Sequence, residues 1–404
     1  MRILFHYTHK QTLGHTTRSI SLATAFCRHK SDILILQGGQ IQPFIRFPKG
    51  AIVKDIPSPF DTRESFQSHV IPHSSSERAK FILRTAAAFK PDVFITEFFP
   101  FGRLAYAAEL LPTLKFLRKK GTKIISSIGY PLIIDLNKLQ DKSFAAIHRA
   151  IFALYDAFLI HTPQELENTY IHQSIQSPVL ADMYQRIMDD LKDKIKYTGY
   201  VFPEQVMVKQ KPLPKFDKKA PLIVVSRGGG AVYPNIITCA IEAQRLIKDN
   251  IHMIISTGPA TTDEEKALFQ SCLKPKDLAR ITLIDQTEHL DQLFQDCKVS
   301  ISLCGYNTSV QLMRFGTPSI LVPYQNTLSR NTLLKTTTND QVARAHLMQE
   351  RFQAQVIEYD KLNAQTLAQA IRNKLKSPKP KSAPASWFNG AETTARWVLE
   401  DKLD

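Results

Sequence analysis

Five cysteines in 404 residues leave little room for disulfide or thiolate chemistry. Cys27, Cys239, Cys272, Cys297 and Cys304 form no CxxC pair and no Cys/His ligand spacing, which excludes a zinc ribbon or a redox motif. An odd number of them fits buried thiols in a reducing compartment. No apolar run approaches the roughly 18 residues that cross a bilayer. The opening residues, MRILFHYTH, carry one basic residue and a short β-like run broken at His6, which predicts a first strand and not a signal peptide. Glycine is sparse, and its placement excludes two phosphate-binding classes: there is no GxGxxG fingerprint and no GxxxxGK[ST] loop. No DxD pair occurs, and His, Asp and Glu do not cluster at ligand spacing, so neither a metal site nor a resident cofactor is expected. Acidic residues are outnumbered 37 to 52, giving a formal net charge of +15 that predicts an anionic partner. No zinc finger, aromatic RNP pattern or basic-leucine repeat accompanies that charge, so nucleic acid is not the expected partner.

Buried strands alternating with amphipathic helices predict an α/β protein with parallel sheets. Strands are expected at the N-terminus, at Asp32–Gln37, Ala51–Ile56, Asp92–Glu97, Thr122–Ser127 and Phe158–His161. Helices are expected at Glu77–Phe89, Leu104–Lys120, Lys142–Ala157 and Leu180–Leu191. Residues 57–76, rich in Ser, Pro and His, predict a long loop. The Lys- and Pro-rich stretch after Met207 predicts a linker. The alternation then restarts at Pro221 and includes the unit Val299–Pro323, a strand, a Cys304-Gly305 turn, a helix and a second strand. Two domains follow, 1–205 and 220–386, with 206–219 as the linker and a C-terminal helix in 387–404 packing back on the first domain. Two such domains enclose a cleft between the carboxyl ends of their sheets, where open α/β sheets bind ligands.

Candidate site residues cluster at strand ends. Gly14 and His15 lie in a loop after the first strand, and Glu97 closes another strand; either His15 or Glu97 could act as a base, and Glu97 could equally cap a helix. The run Gly228, Gly229, Gly230 and the turn at Gly305 each sit between a strand and a helix. Backbone N–H groups and the helix dipole there suit a diphosphate, although a plain tight turn answers to the same pattern. Asn307 and Thr308 are either caps or ligand contacts, and Arg227 is either a phosphate contact or a surface residue.

The motifs LGHTTRS (13–19), PDVFITEFFPFGR (91–103), YTGYV (197–201), SRGGGAVYP (226–234), STGP (256–259), ISLCGYNT (301–308), GTPSILVPY (316–324) and NDQVARA (339–345) occur in that order across nearly the whole chain. Together they resemble GT-B glycosyltransferases of the family 28-like group, which includes the N-acetylglucosaminyltransferase of peptidoglycan lipid synthesis. They resemble still more closely an uncharacterised bacterial branch of predicted glycosyltransferases. The resemblance implies two Rossmann-like domains facing each other across a cleft, with a nucleotide-diphosphate sugar, UDP-linked by family weight, as co-substrate on the second. It implies an acceptor hydroxyl on the first, near Gly14, Arg18 and Phe101, and a metal-independent, inverting displacement. Gly228, Gly229, Gly230 and Gly305 would hold the diphosphate, His289 in the segment 285–290 would flank the base, and Asn307 and Thr308 would hold phosphate and ribose. Gln341 and Arg344 would lie near the donor sugar. Many relatives carry an acidic residue where this chain has Gln311, and a basic residue often follows the strand that here leads into Gly129-Tyr130. The basic balance suits a phosphorylated or lipid-linked acceptor, and a cytoplasmic protein associated peripherally with the inner face of the membrane. A nucleotide-sugar 2-epimerase of the same fold and a catalytically silent nucleotide-sugar-binding protein are the alternatives.

Overall fold

The computed structural model describes residues 1–8, 14–39, 45–57, 75–102, 104–130, 136–175, 177–203, 216, 219–229, 235–285, 289–324 and 340–403. The first domain runs β1 (Arg2–Thr8), α1 (Gly14–Arg28), β2 (Asp32–Gly38), β3 (Ile52–Ile56), α2 (Ser75–Phe89), β4 (Val93–Glu97), α3 (Ala107–Lys119), β5 (Lys123–Ile128), α4 (Lys142–Phe152), β6 (Ala157–Ile160), α5 (Glu167–Ser174), α6 (Pro178–Leu191) and β7 (Ile195–Tyr197). The second runs β8 (Leu222–Ser226), α7 (Asn235–Leu246), β9 (His252–Ser256), α8 (Asp263–Cys272), β10 (Ile281–Ile284), α9 (Leu290–Asp296), β11 (Val299–Ser302), α10 (Tyr306–Phe315), β12 (Ser319–Leu321), α11 (Asp340–Phe352), β13 (Gln355–Val356), α12 (Ala364–Lys376) and α13 (Gly390–Leu399).

Strand side chains alternate between faces, and here both faces are apolar because helices cover both. In the first sheet Leu4, Leu34, Phe94 and Ile124 enter one core, while Ile3, Ile33, Val93 and Ile125 enter the other. The second sheet repeats the device: Leu222, Val224 and Ile254 face one side, Ile223, Val225 and Ile255 the opposite one. The strand orders are β3-β2-β1-β4-β5-β6-β7 and β10-β9-β8-β11-β12-β13, every neighbour parallel. In each sheet the order reverses beside the first strand, between β1 and β4 and between β8 and β11. Those are the points where the strand ends open a crevice.

The two domains share an apolar cluster. Leu166, Tyr170 and Tyr200 of the first domain pack with Ala343, Leu347 and Met348 of α11 in the second. Each large side chain so buried contributes about 1.5–3 kcal/mol, enough in sum to hold the domains together. The chain then returns. α13 lies on α1, sending Ala395 and Val398 into the core of Phe5 and Leu22, and Glu392 pairs with His29.

Some elements differ from expectation. α1 begins at Gly14, so His15 stands in the first helical turn and not in a loop. α4 stops at Phe152 because Asp156 already donates its N–H to the Ile124 carbonyl (2.8 Å), committing Ala157 to the sheet. α5, which packs on α11, has no counterpart in the sequence expectation. Most of the expected linker, and residues 58–74 of the expected loop, lie outside the described residues.

Candidate active site

Three carboxyl-terminal strand ends of the first sheet gather beside the first turn of α1. Glu97 ends β4, Ser127 lies one residue from the end of β5, and His161 follows β6. One helical turn separates His15 from Arg18, so both reach the same carboxylate. His15 Nδ1 lies 2.9 Å from Glu97 Oε1. Arg18 closes on both Glu97 oxygens. Ser127 Oγ donates to Glu97 Oε2 at 2.6 Å, and His161 Nε2 lies 3.0 Å from that serine oxygen. The far nitrogen of His161 is 2.7 Å from Thr198 Oγ1. Gly129 leaves room for the guanidinium, since a Cβ there would stand 2.6 Å from Arg18 Nη1.

Electrostatics then assign the protons. Burial pushes the Glu97 carboxyl up, but the Arg18 guanidinium and the His15 hydrogen bond outweigh it and hold it down at about 2. An ionised carboxylate only accepts, so the proton between His15 and Glu97 sits on His15 Nδ1, and in the neutral imidazole that leaves the lone pair on Nε2. Burial, with Arg18 nearby, lowers His161 to about 3 and keeps it neutral. The ionised Glu97 is thus engaged by Arg18, Ser127 and His15 together.

In the second domain α10 begins at Tyr306 with Gly305 as its N-cap, and no side chain caps it. Its first N–H groups have no partner within the helix, and the dipole makes that end favourable for an anion. Asn307 Oδ1 beside it is buried without a hydrogen-bond partner among the described residues, and a Cβ on Gly305 or Gly228 would meet nothing within 4 Å there. The loop after β8 turns at Gly228 (φ +76°) and packs on a second glycine turn at Gly258 (φ +94°), whose Cβ would stand 2.4 Å from the Gly228 carbonyl oxygen. Only glycine satisfies that contact and that dihedral.

Residues 222–395 match the family model described as the glycosyltransferase family 28 C-terminal domain. The match spans nearly the whole of the second domain. A curated relative from Thermosipho melanesiensis, named UDP-N-acetylglucosamine--N-acetylmuramyl-(pentapeptide) pyrophosphoryl-undecaprenol N-acetylglucosamine transferase, is 27% identical over 164 residues, covering 39% of this chain and 44% of the relative. The chain thus spans less than half the length of the curated relatives it matches. MurG of Acinetobacter baumannii superposes with a TM-score of 0.57 at 12% identity, covering 99% of this chain and 100% of that one. Spinosyn rhamnosyltransferase SpnG complexed with thymidine diphosphate gives 0.60 at 15% identity, covering 100% of both. These likenesses establish the GT-B fold, two Rossmann-like domains across a cleft.

Several expected contacts take other roles. Arg227 is 1% exposed and spends its guanidinium internally, on both Glu265 oxygens, the Thr257 carbonyl and Thr261 Oγ1. It braces the loop around Gly258. Arg344 is fully buried; it donates to the Cys304 carbonyl (2.6 Å) and to Asp340 (2.9 Å), fixing the turn before α10. Its guanidinium lies 5.5 Å from the Tyr130 ring centroid, so a cation does stand beside the strand exit, though it comes from the other domain. Phe101, expected on the acceptor side, is a core residue packed edge-on against Phe152 and tilted against Phe158. Arg18, expected there too, is the buried partner of Glu97. Gly14 opens α1 with nothing within 4 Å of its Cβ position.

The remaining donor-side residues surround α10. Gln341 Oε1 accepts the Tyr324 N–H at 3.0 Å. Thr308 is buried in the first turn of α10, His289 precedes α9 half-buried, and Gly230 lies outside the described residues. Gln311 donates its amide to Asp291 on α9, whose carboxyl is raised by burial despite that bond. Asp291 thus places a carboxyl group directly beside Gln311. Ser127, His161, Tyr306 and Asp291 are the residues sequence reasoning passed over. A polar residue at the end of a buried strand, the signal that selected Glu97, was equally present at Ser127 and His161. Among the described residues no group of three His, Cys, Asp or Glu side chains gathers as a metal site, and no helix is long and apolar enough to cross a membrane.

Proposed function

We propose that this protein is a glycosyltransferase that moves a sugar from a UDP-linked donor to an acceptor hydroxyl, inverting the anomeric carbon without a metal. One observation carries this reading: His15, tautomerically fixed by Glu97, stands on the domain opposite the uncapped α10 N-terminus. The acceptor O–H loses its proton to His15 Nε2 as its oxygen attacks the anomeric carbon. The bond to the diphosphate breaks on the opposite side, which is what inverts the centre. Its electron pair leaves with the diphosphate, stabilised by the N–H groups and dipole of α10 and by the glycine turn at Gly228 and Gly229. Glu97 then stabilises the imidazolium. Asp291 and Gln311 together offer the acceptor oxygens that receive the ribose hydroxyls.

The names of the Thermosipho relatives, UDP-N-acetylglucosamine-dependent transferases acting on a pyrophosphoryl-undecaprenol lipid, support a UDP-sugar and a lipid-linked, phosphorylated acceptor. The net charge of +15 supports peripheral association with an anionic cytoplasmic membrane face.

Thermal stabilisation tests this reading. UDP at about 100 times its dissociation constant adds about 2.7 kcal/mol, which raises a melting transition of this domain size by roughly 5–10 °C. The expected outcome is a rise selective for UDP over GDP, dTDP and CMP and unchanged by EDTA. A rise abolished by EDTA overturns metal independence, and no rise with any nucleotide overturns the donor assignment.

A further inference from the structure

We infer that Tyr306 is a cross-domain positioning residue that holds the His15–Glu97 dyad in register with the donor helix. The inference rests on the reading of His15 as the base. Tyr306 is the first residue of α10, directly after the N-cap Gly305, and is 8% exposed. Its hydroxyl crosses to the first domain, donating to the His161 carbonyl at 2.8 Å and accepting the Val201 N–H at 3.1 Å. Its ring lies under Arg18, whose guanidinium carbon is 4.9 Å from the ring centroid. Two routes therefore lead from one side chain to Glu97. The ring supports Arg18, which grips both carboxylate oxygens. The hydroxyl fixes the backbone of His161, whose imidazole holds the Ser127 hydroxyl that donates to Glu97 Oε2.

A ring of contacts closes around this point. Tyr130 lies 5.8 Å from Phe98, Phe98 lies 5.6 Å from His15, and Arg344 of the second domain stands over both Tyr130 and Tyr306. A residue needed only for packing would not have its hydroxyl committed to one domain while its backbone starts the anion-binding helix of the other. The arrangement places the base correctly only when α10 is seated against the first domain.

The test needs no acceptor. The charged and titratable groups around the dyad are Arg18 and His161 from the first domain and Arg344, paired with Asp340, from α11; none of them is substituted in Tyr306→Phe or Tyr306→Leu, so a moved midpoint reports their placement. The His15 titration midpoint is followed by NMR of histidine-labelled protein, alongside the dissociation constant for UDP. The expected result is a midpoint displaced by about half a unit or more in Tyr306→Phe and further in Tyr306→Leu, with UDP affinity within about two-fold of wild type. Ile371→Ala, a cavity in the far core of the second domain, controls for lost stability and leaves the midpoint where it was. If Tyr306→Leu fails to fold, Tyr306→Phe decides alone. A midpoint unmoved to within about 0.1 unit in Tyr306→Phe, whatever its melting temperature, overturns the inference. Failure of UDP to bind the wild-type protein counts against the donor assignment only, because the His15 readout uses no nucleotide.

Discussion

Glu97→Gln changes one atom and separates the roles of the dyad. The wild-type carboxylate accepts from His15 Nδ1, Arg18 and Ser127 at once. Glutamine retains one oxygen, and Arg18, itself 4% exposed, competes for it more strongly than a neutral imidazole. The amide NH2 then turns toward His15 and donates to Nδ1, which drives the imidazole proton to Nε2. The base is now in the wrong tautomer. Since a positioned general base supplies about 10²–10⁴-fold, sugar transfer should fall by about 10³-fold, or roughly 4 kcal/mol of barrier. Breaking one side of a buried ion pair also costs about 3–5 kcal/mol of stability, a drop on the order of 10 °C in the melting of the first domain. UDP affinity should not change, because no described contact links Glu97 directly to the family 28 domain. Histidine ¹⁵N spectra read the tautomer and calorimetry the affinity, with nucleotide release reading turnover. A variant that keeps more than a tenth of the activity, or keeps the His15 proton on Nδ1, refutes the reasoning.

Two further outcomes follow from buried groups. His6 and His161 are each held neutral, lowered from 6.5 to about 3 by burial with a buried arginine nearby, so the unfolded chain binds protons that the fold refuses. Stability is therefore full above about pH 6.5 and falls as the pH drops toward 3. At pH 5 the loss is about 2 kcal/mol per histidine, visible as a lower urea midpoint at pH 5 than at pH 8, and equal midpoints would refute it. Gln311→Glu sets a second carboxylate against Asp291 and should weaken UDP binding about ten-fold by calorimetry, with Asp291→Asn restoring it; tighter binding in the single variant refutes the shared-acceptor reading.

The fold was legible because its signal is repetitive. Apolar strands and 3.6-residue periodicity recur through both halves, and parallel sheets follow from that alternation without knowledge of any contact. The site was legible only in part, because a motif locates an element but not the direction of a long side chain on it. Arg227 follows β8 as a phosphate contact would, yet its partner Glu265 lies 38 residues away and draws it inward. Arg344 sits on the helix expected near the sugar, and its i,i+4 relation to Asp340 was visible in the sequence, but the buried Cys304 carbonyl that completes its environment was not. Phe101 belongs to an aromatic loop motif, and nothing in one dimension distinguishes a ring that meets a substrate from one that meets Phe152.

A transfer site divided between two domains works only while base and leaving group stay in register, since a displacement near 1 Å can cost about 100-fold in rate. Three of the contacts that join the halves among the described residues differ in kind. The His29–Glu392 pair between α1 and α13 is substantially exposed on both sides, so it contributes about 0–1 kcal/mol and sets little. The cluster of Tyr170, Tyr200, Leu347 and Met348 contributes far more, but apolar packing is non-directional and fixes the distance between the domains better than their register. Directional control comes from hydrogen bonds: Gly390 donates its N–H to the Tyr200 carbonyl at 3.0 Å, and the Tyr306 hydroxyl binds the Val201 N–H and the carbonyl of His161, the residue whose imidazole meets Ser127. The donor helix and the base are thus aligned by the same side chain that begins the helix, which explains why a tyrosine is needed where helix formation alone would accept almost any residue.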